Sequence, residues 1–317
     1  MNKIFRPFLS VLCFVIIIAS SCKKDDSTQL PDKKTEPKAI DSLANIASIA
    51  RPYYNLTVID VHNHDASDHK YRSSTSIWNT FAIDRVVLFG NISEQSAQTT
   101  DSYAMEAYQA SRARIIPYMA GINIFDTTCF QYIKNRFAAG TCGIGEVVAE
   151  THFSPILTNL PWKGKHALDG YFPQIYELCA QYHKPILLHI DPPSGSSIDS
   201  LLAAAKRFPQ TTFILGHANA YNSPSGIENI LKSSDNIYID FFAGFTAYNT
   251  ASEYTLADFV PLITKYPDRF MMGSDSGYEV GYVKSYTAMY ELFNLLPAEI
   301  VKKIAGQNYL DITGSAQ

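Results

Sequence analysis

The stretch Thr57-Val58-Ile59-Asp60-Val61-His62-Asn63-His64 decides the reading of this chain. Its first five residues are rich in β-branched side chains and read as a strand. A strand turns alternate side chains to one face, so Asp60, His62 and His64 stand in a row. Two imidazoles at a strand end make a ready pair of metal ligands, because neutral histidine is the commonest metal-binding side chain. An HxH pair is a weak signal alone and gains weight from ligand-type residues at the ends of later strands.

Working outward, seven more short apolar runs follow: Arg85–Phe89, Ile115–Ala120, Gly143–Val148, Pro185–His189, Thr212–Leu215, Ile237–Phe241 and Phe270–Gly273. Most are nearly continuous in apolar residues, as expected of parallel strands buried on both faces. Helical stretches separate them, at Asp101–Arg112, Ala167–Tyr182, Ser197–Phe208, Ile227–Lys232 and Thr255–Lys265, with Tyr286–Leu295 and Pro297–Ala305 closing the chain. Eight strands alternating with helices predict an α/β fold, a (β/α)8 TIM barrel. The alternative is an open doubly wound sheet, but that fold carries a Gly-rich phosphate turn after its first strand. Here His62-Asn63-His64 stands in its place.

A barrel builds its active site at the C-terminal strand ends. Those ends carry His62 and His64, then Glu146 in Gly143-Ile-Gly-Glu146, His189, His217, and Asp275 in Gly273-Ser274-Asp275. Each has an ordinary structural explanation by itself. His189 and His217 read as core histidines, and Asp275 as a helix N-cap. Asp60 reads as a support, Asp191 as a loop-shaping residue before two prolines, and Asp240 on strand seven has no assigned role. Only the joint placement points to chemistry. His69, His152, His166 and His183 read as solvated or structural.

The first fifty residues differ from the rest. A basic start, Asn2-Lys3-Ile4-Phe5-Arg6, precedes an apolar run from Phe8 to Ala19 and then Ala19-Ser20-Ser21-Cys22. This is the layout of a secretory signal over residues 1–21, too short for a comfortable membrane span. Small residues before Cys22 resemble a bacterial lipobox, which implies lipidation of Cys22, a membrane anchor and a place in the cell envelope at the outer membrane. The run Lys23-Lys24-Asp25-Asp26 resembles a surface-export signal. Residues 22–50 are polar and read as a flexible tether. Residues 51–317 are long enough for one large barrel domain.

The net charge of −4 and the lack of a basic stripe give no reason to expect a nucleic-acid partner. Five cysteines, two of them Cys13 and Cys22, leave Cys129, Cys142 and Cys179, which form neither a disulfide framework nor a zinc-finger pattern, with one bridge among them left open in an oxidising compartment. Tyr221, Tyr248, Tyr254, Tyr278 and Tyr282 cluster in late loops, where they either line a pocket or pack the loops down.

Taken in order, His62-Asn63-His64, His189, His217, Gly273-Ser274-Asp275 and the closing Gly306-Gln307-Asn308 resemble the amidohydrolase superfamily, in its amidohydrolase-related branch. The resemblance runs over about residues 57 to 314. It implies that His62, His64, His189 and Asp275 hold one divalent ion, most often zinc. It implies that Asp275 takes a proton from the attacking water, and that His217 orients substrate or acts as an acid/base. No lysine ends strand four, so a carboxylated-lysine bridge is not expected. Glu146 stands there instead, as in the deoxyribonuclease-like branch, and allows a second metal, a supporting hydrogen bond or a substrate contact. The expected activity is metal-dependent hydrolysis of an amide, ester or lactone of a small-molecule substrate. A decarboxylase, a phosphodiesterase and a non-catalytic binding protein remain as alternatives. Specificity would lie in the loops Asp65–Asp84, His152–Leu168, Ala218–Gly226 and Ala243–Tyr254, with Arg51, Arg72 and Lys165 as partners for a substrate carboxylate.

Overall fold

A computed structural model describes residues 48–191 and 195–314. The signal, Cys13, Cys22, the tether up to residue 47, and Pro192 and Pro193 lie outside the described residues. Ala50 is already fully buried against the core. No helix among the described residues is long and apolar enough to cross a membrane.

Eight parallel strands run in sequence order: β1 (Ile59–Asn63), β2 (Arg85–Leu88), β3 (Ile115–Met119), β4 (Gly143–Glu150), β5 (Ile186–Ile190), β6 (Phe213–Leu215), β7 (Ile237–Phe241) and β8 (Phe270–Met272). Helices follow the strands, which makes the fold a (β/α)8 TIM barrel. All eight strands lie within two residues or so of their expected positions, because buried parallel strands announce themselves as apolar runs.

Successive residues of a strand serve different cores. Val86 and Leu88 pack with the helices, while Val87 joins a second cluster with Ile116, Tyr118, Leu187, Ile214 and Met271. The period of two is that of the pleat. Tyr309 and Leu310, from the closing helix Asn308–Thr313, complete this second cluster.

Side chains tie β1 to β8. The Ser274 amide donates to Asp60 Oδ1 at 2.9 Å and its hydroxyl to Asp60 Oδ2 at 2.6 Å. Tyr286 donates to the same carboxylate at 2.8 Å. Burial pushes the Asp60 carboxyl up, and these donors pull it back down in part. Register shifts between Asp60 and Asn63, so Asp60 serves this seam while His62 turns to the strand-end cluster.

The C-terminal Gly-x-Asn segment has a mechanical role. A side chain on Gly306 would meet the Thr57 carbonyl oxygen at 2.4 Å, so the chain passes tightly under β1. Asn308 Nδ2 donates to the Pro267 and Phe270 carbonyls at 2.8 and 2.7 Å, fixing the start of β8. Cys129, Cys142 and Cys179 are all free thiols.

Candidate metal and catalytic site

The strand ends bring six of the expected residues together. His62 is fully buried, and its Nδ1 lies 2.7 Å from Asp240 Oδ2. That contact places the ring proton on Nδ1 and aims Nε2 into the barrel mouth, 3.2 Å from His64 Nε2. His64 is fixed from behind by the Gly90 carbonyl, 2.9 Å from its Nδ1. Asp275 Oδ1 faces both Nε2 atoms, at 3.5 and 3.4 Å.

Glu146 stands between two imidazole pairs. Its Oε2 faces His62 Nε2 and His64 Nε2 at 3.7 and 3.5 Å. Its Oε1 faces His189 Nδ1 and His217 Nε2, both at 3.0 Å. Those two nitrogens are themselves 3.0 Å apart. Imidazole nitrogens so close must be separated by a proton or a shared cation, since two lone pairs repel. The donor atoms of His62, His64 and Asp275 fall within metal-binding distance of one another, and so do those of His62, Glu146 and His217. His189 belongs to neither group, although its Nδ1 touches members of the second. The nitrogen and oxygen donor set fits a zinc-type divalent ion.

Charge behaves accordingly. Burial opposes protonation of His62, but Asp240, Asp275 and Glu146 outweigh it and hold its pKa well above the ordinary value. Burial likewise opposes protonation of His64 and His189, yet the carboxylates beside them lift both to about 9. Burial would raise Glu146 and Asp275. The His62 charge and the other histidines overcome it and keep both carboxylates ionised, Glu146 far below its usual range. Carboxylates and imidazoles gathered this densely make a donor cluster that could hold a cation.

A second ring of residues sets the orientation. Asp240 Oδ2 also accepts the His217 amide at 2.9 Å, so one carboxylate positions two histidines. His217 needs this support, since its backbone is left-handed at φ 32°. Asp191 holds His189 Nε2 at 2.9 Å and also accepts from Thr151 and the Phe153 amide, both at 2.9 Å. His189 and these amides draw its carboxyl below the usual range against the pull of burial. Asp240 had no assigned role from sequence, though a lone carboxylate in the apolar run Ile237-Tyr-Ile-Asp240-Phe241 was a visible signal. Gly273 makes room for it: a side chain there would meet Asp240 Oδ1 at 2.1 Å and His62 Cβ at 2.8 Å.

A cavity of about 440 Å³ opens over this cluster. All four expected specificity loops reach it, through Ser67, residues 154–160, residues 220–221 and Phe245, while residues 90–94 line it without having been expected. Arg51, Arg72 and Lys165 do not line it, and Arg72 is spent on Glu106 at 2.7 Å. Tyr221 and Tyr278 line the cavity. Tyr248 instead bonds Glu291, Tyr254 borders an adjoining cavity, and Tyr282 donates to Asp65.

The sequence profile of the amidohydrolase family matches residues 59–308. No curated protein matches the chain by sequence. Among solved structures, an uncharacterized TIM-barrel protein from Bordetella bronchiseptica superposes with a TM-score of 0.60 at 14% identity, covering 82% of this chain and 100% of its own. A probable 2-pyrone-4,6-dicarboxylic acid hydrolase from Acinetobacter baumannii gives 0.57 at 14% identity over 82% and 100%. A 2,6-dihydroxybenzoate decarboxylase from Rhizobium gives 0.58 at 11% identity over 82% and 99%.

Proposed function

Because the chain belongs to the amidohydrolase family, we propose that it is a metal-dependent hydrolase acting on an amide, ester or lactone carbonyl. The observation that carries this reading is Glu146, whose two carboxylate oxygens face two separate pairs of imidazole nitrogens at the floor of the cavity. We assign His62, His64 and Asp275 to one divalent ion, with Glu146 shared. His189 and His217 would join Glu146 around a second position, which moves His189 away from the ion of the HxH pair and His217 from substrate handling to metal binding. When bound, such an ion polarises a carbonyl and lowers the pKa of water to roughly 7.

The protein's own residues supply the rest. Asp275 is ionised, borders the cavity and can accept a proton from the attacking water. Asp240 and Asp191 keep His62 and His189 in the tautomers that leave Nε2 and Nδ1 free for a ligand. No lysine or arginine among the described residues lines the cavity. Positive charge for a phosphodiester or a substrate carboxylate would therefore have to come from the ions and histidines at the cavity floor. Anchorage through a lipidated Cys22 in the cell envelope belongs to the same proposal, and metabolic labelling of Cys22 with a fatty acid tests it.

The functional test is turnover of a panel of esters, lactones and amides by the metal-loaded protein, beside aromatic carboxylates assayed for CO2. Acid and alcohol or amine products support hydrolysis. Carbon dioxide release without ester, lactone or amide turnover sinks it.

A further inference from the structure

The lining of the active cavity restricts what can enter it. Its charged members are Glu94, Glu146 and Asp275, with the histidines of the cluster, and no cation of lysine or arginine type lies among the described lining residues. Above the floor, much of the wall is apolar, from Ile92, Ile156, Leu157, Leu160, Phe242 and Phe245, with the uncharged polar side chains of Asn91, Ser154, Tyr221 and Tyr278 set among them. The apolar residues come from three separate segments, after β2, after β4 and after β7, so the wall surrounds the entrance on several sides. Ile156 is 66% exposed while lining the cavity, so it stands where an entering molecule would meet it.

An anionic group on a substrate needs a fixed donor of positive charge when it leaves water. Away from the floor the described lining residues supply none, and Glu94 would repel it. An apolar or aromatic group, by contrast, gains by leaving water for the aliphatic and phenylalanine wall. We propose that the substrate is an uncharged molecule carrying an apolar or aromatic group next to its reactive carbonyl, and that Ile156 helps select it. This deepens the hydrolase reading and rests on it for the word substrate. The pocket's preference can be measured without turnover.

The test uses two matched pairs on the metal-loaded protein. One is non-hydrolysable: 4-phenylbutan-2-one and its ring-carboxylated analogue, with binding read by calorimetry. The other is phenyl acetate and 4-acetoxybenzoate, with hydrolysis read directly. The neutral ketone should bind about 100-fold more tightly than the carboxylated one, the scale on which an unpaired or repelled charge is penalised. Ile156→Lys, at an exposed position that tolerates the change, should tighten the carboxylated ketone about fivefold. Equal or better binding of the carboxylated ketone overturns the inference, as does binding of neither ketone. Selective binding of the neutral ketone with no ester hydrolysis upholds the inference and removes the hydrolase reading instead.

Discussion

Asp240 offers the sharpest test of how this site is held together. Its carboxylate is fully buried and accepts from His62 Nδ1 at 2.7 Å and from the His217 amide at 2.9 Å. Its other oxygen has no hydrogen-bond partner. Two substitutions separate charge from geometry. Asp240→Asn keeps an acceptor oxygen and loses the charge that makes His62 basic. Asp240→Ala loses both and frees the His62 ring to rotate. Loss of such a support typically weakens metal binding about 10- to 100-fold, which is about 1.4 to 2.7 kcal/mol. We expect Asp240→Asn near the lower figure and Asp240→Ala near the upper. The assay is zinc titration against a competing chelator, with circular dichroism to show that each variant is folded. A folded Asp240→Ala protein that holds zinc as tightly as the parent would refute the reasoning.

Further outcomes follow from the same geometry. Gly273→Ala forces a methyl group against Asp240 Oδ1 and His62 Cβ, at 2.1 and 2.8 Å without relaxation. It should cost about 1–3 kcal/mol of stability and also weaken metal binding, and chelator titration combined with urea unfolding reads both. Asn308→Ala should cost about 2 kcal/mol in urea unfolding with no change in metal affinity, because it leaves only the Pro267 and Phe270 carbonyls without their donor. Metal binding should be strongly pH-dependent. His64 and His189 hold protons up to about pH 9 in the metal-free protein, and a ligand must be neutral. Affinity should therefore rise as pH climbs from 7 through about 9. Calorimetry near pH 7 in buffers of different ionisation enthalpy should show proton release on binding, and no release would contradict the cluster's protonation.

Legibility varied with the physics of each element. The strands stood out because burial on both faces demands apolar runs, and Ile237-Tyr-Ile-Asp240-Phe241 matched its expected bounds fully. Tyr71–Thr80 was missed as a helix because Tyr-Arg-Ser-Ser-Thr-Ser-Ile-Trp-Asn-Thr has poor helix propensity and buries only Tyr71, Ser74 and Trp78. Thr128–Ala138 buries only Cys129, Ile133 and Phe137, too thin a stripe to stand out. His62, His64, Glu146, His189, His217 and Asp275 were legible because strand order alone carries them to one end of a barrel. How Glu146 divides its two oxygens between two histidine pairs was not, since that depends on distances between strands far apart in sequence. Nor were the residues 90–94 that line the cavity, because the short loop after β2 carries no histidine and its Glu94 stands several residues beyond the strand end.

The central claim is a pair of metal positions sharing one carboxylate. Elemental analysis of chelator-treated, zinc-reconstituted residues 48–317 tests it most directly, beside Glu146→Gln and the His62→Ala/His64→Ala double variant. The account predicts two ions per chain in the parent, fewer in Glu146→Gln, and loss of the ion held by the HxH pair in the double variant. A folded parent that retains no specific metal would contradict it outright, and a single ion kept unchanged by Glu146→Gln would contradict the shared carboxylate.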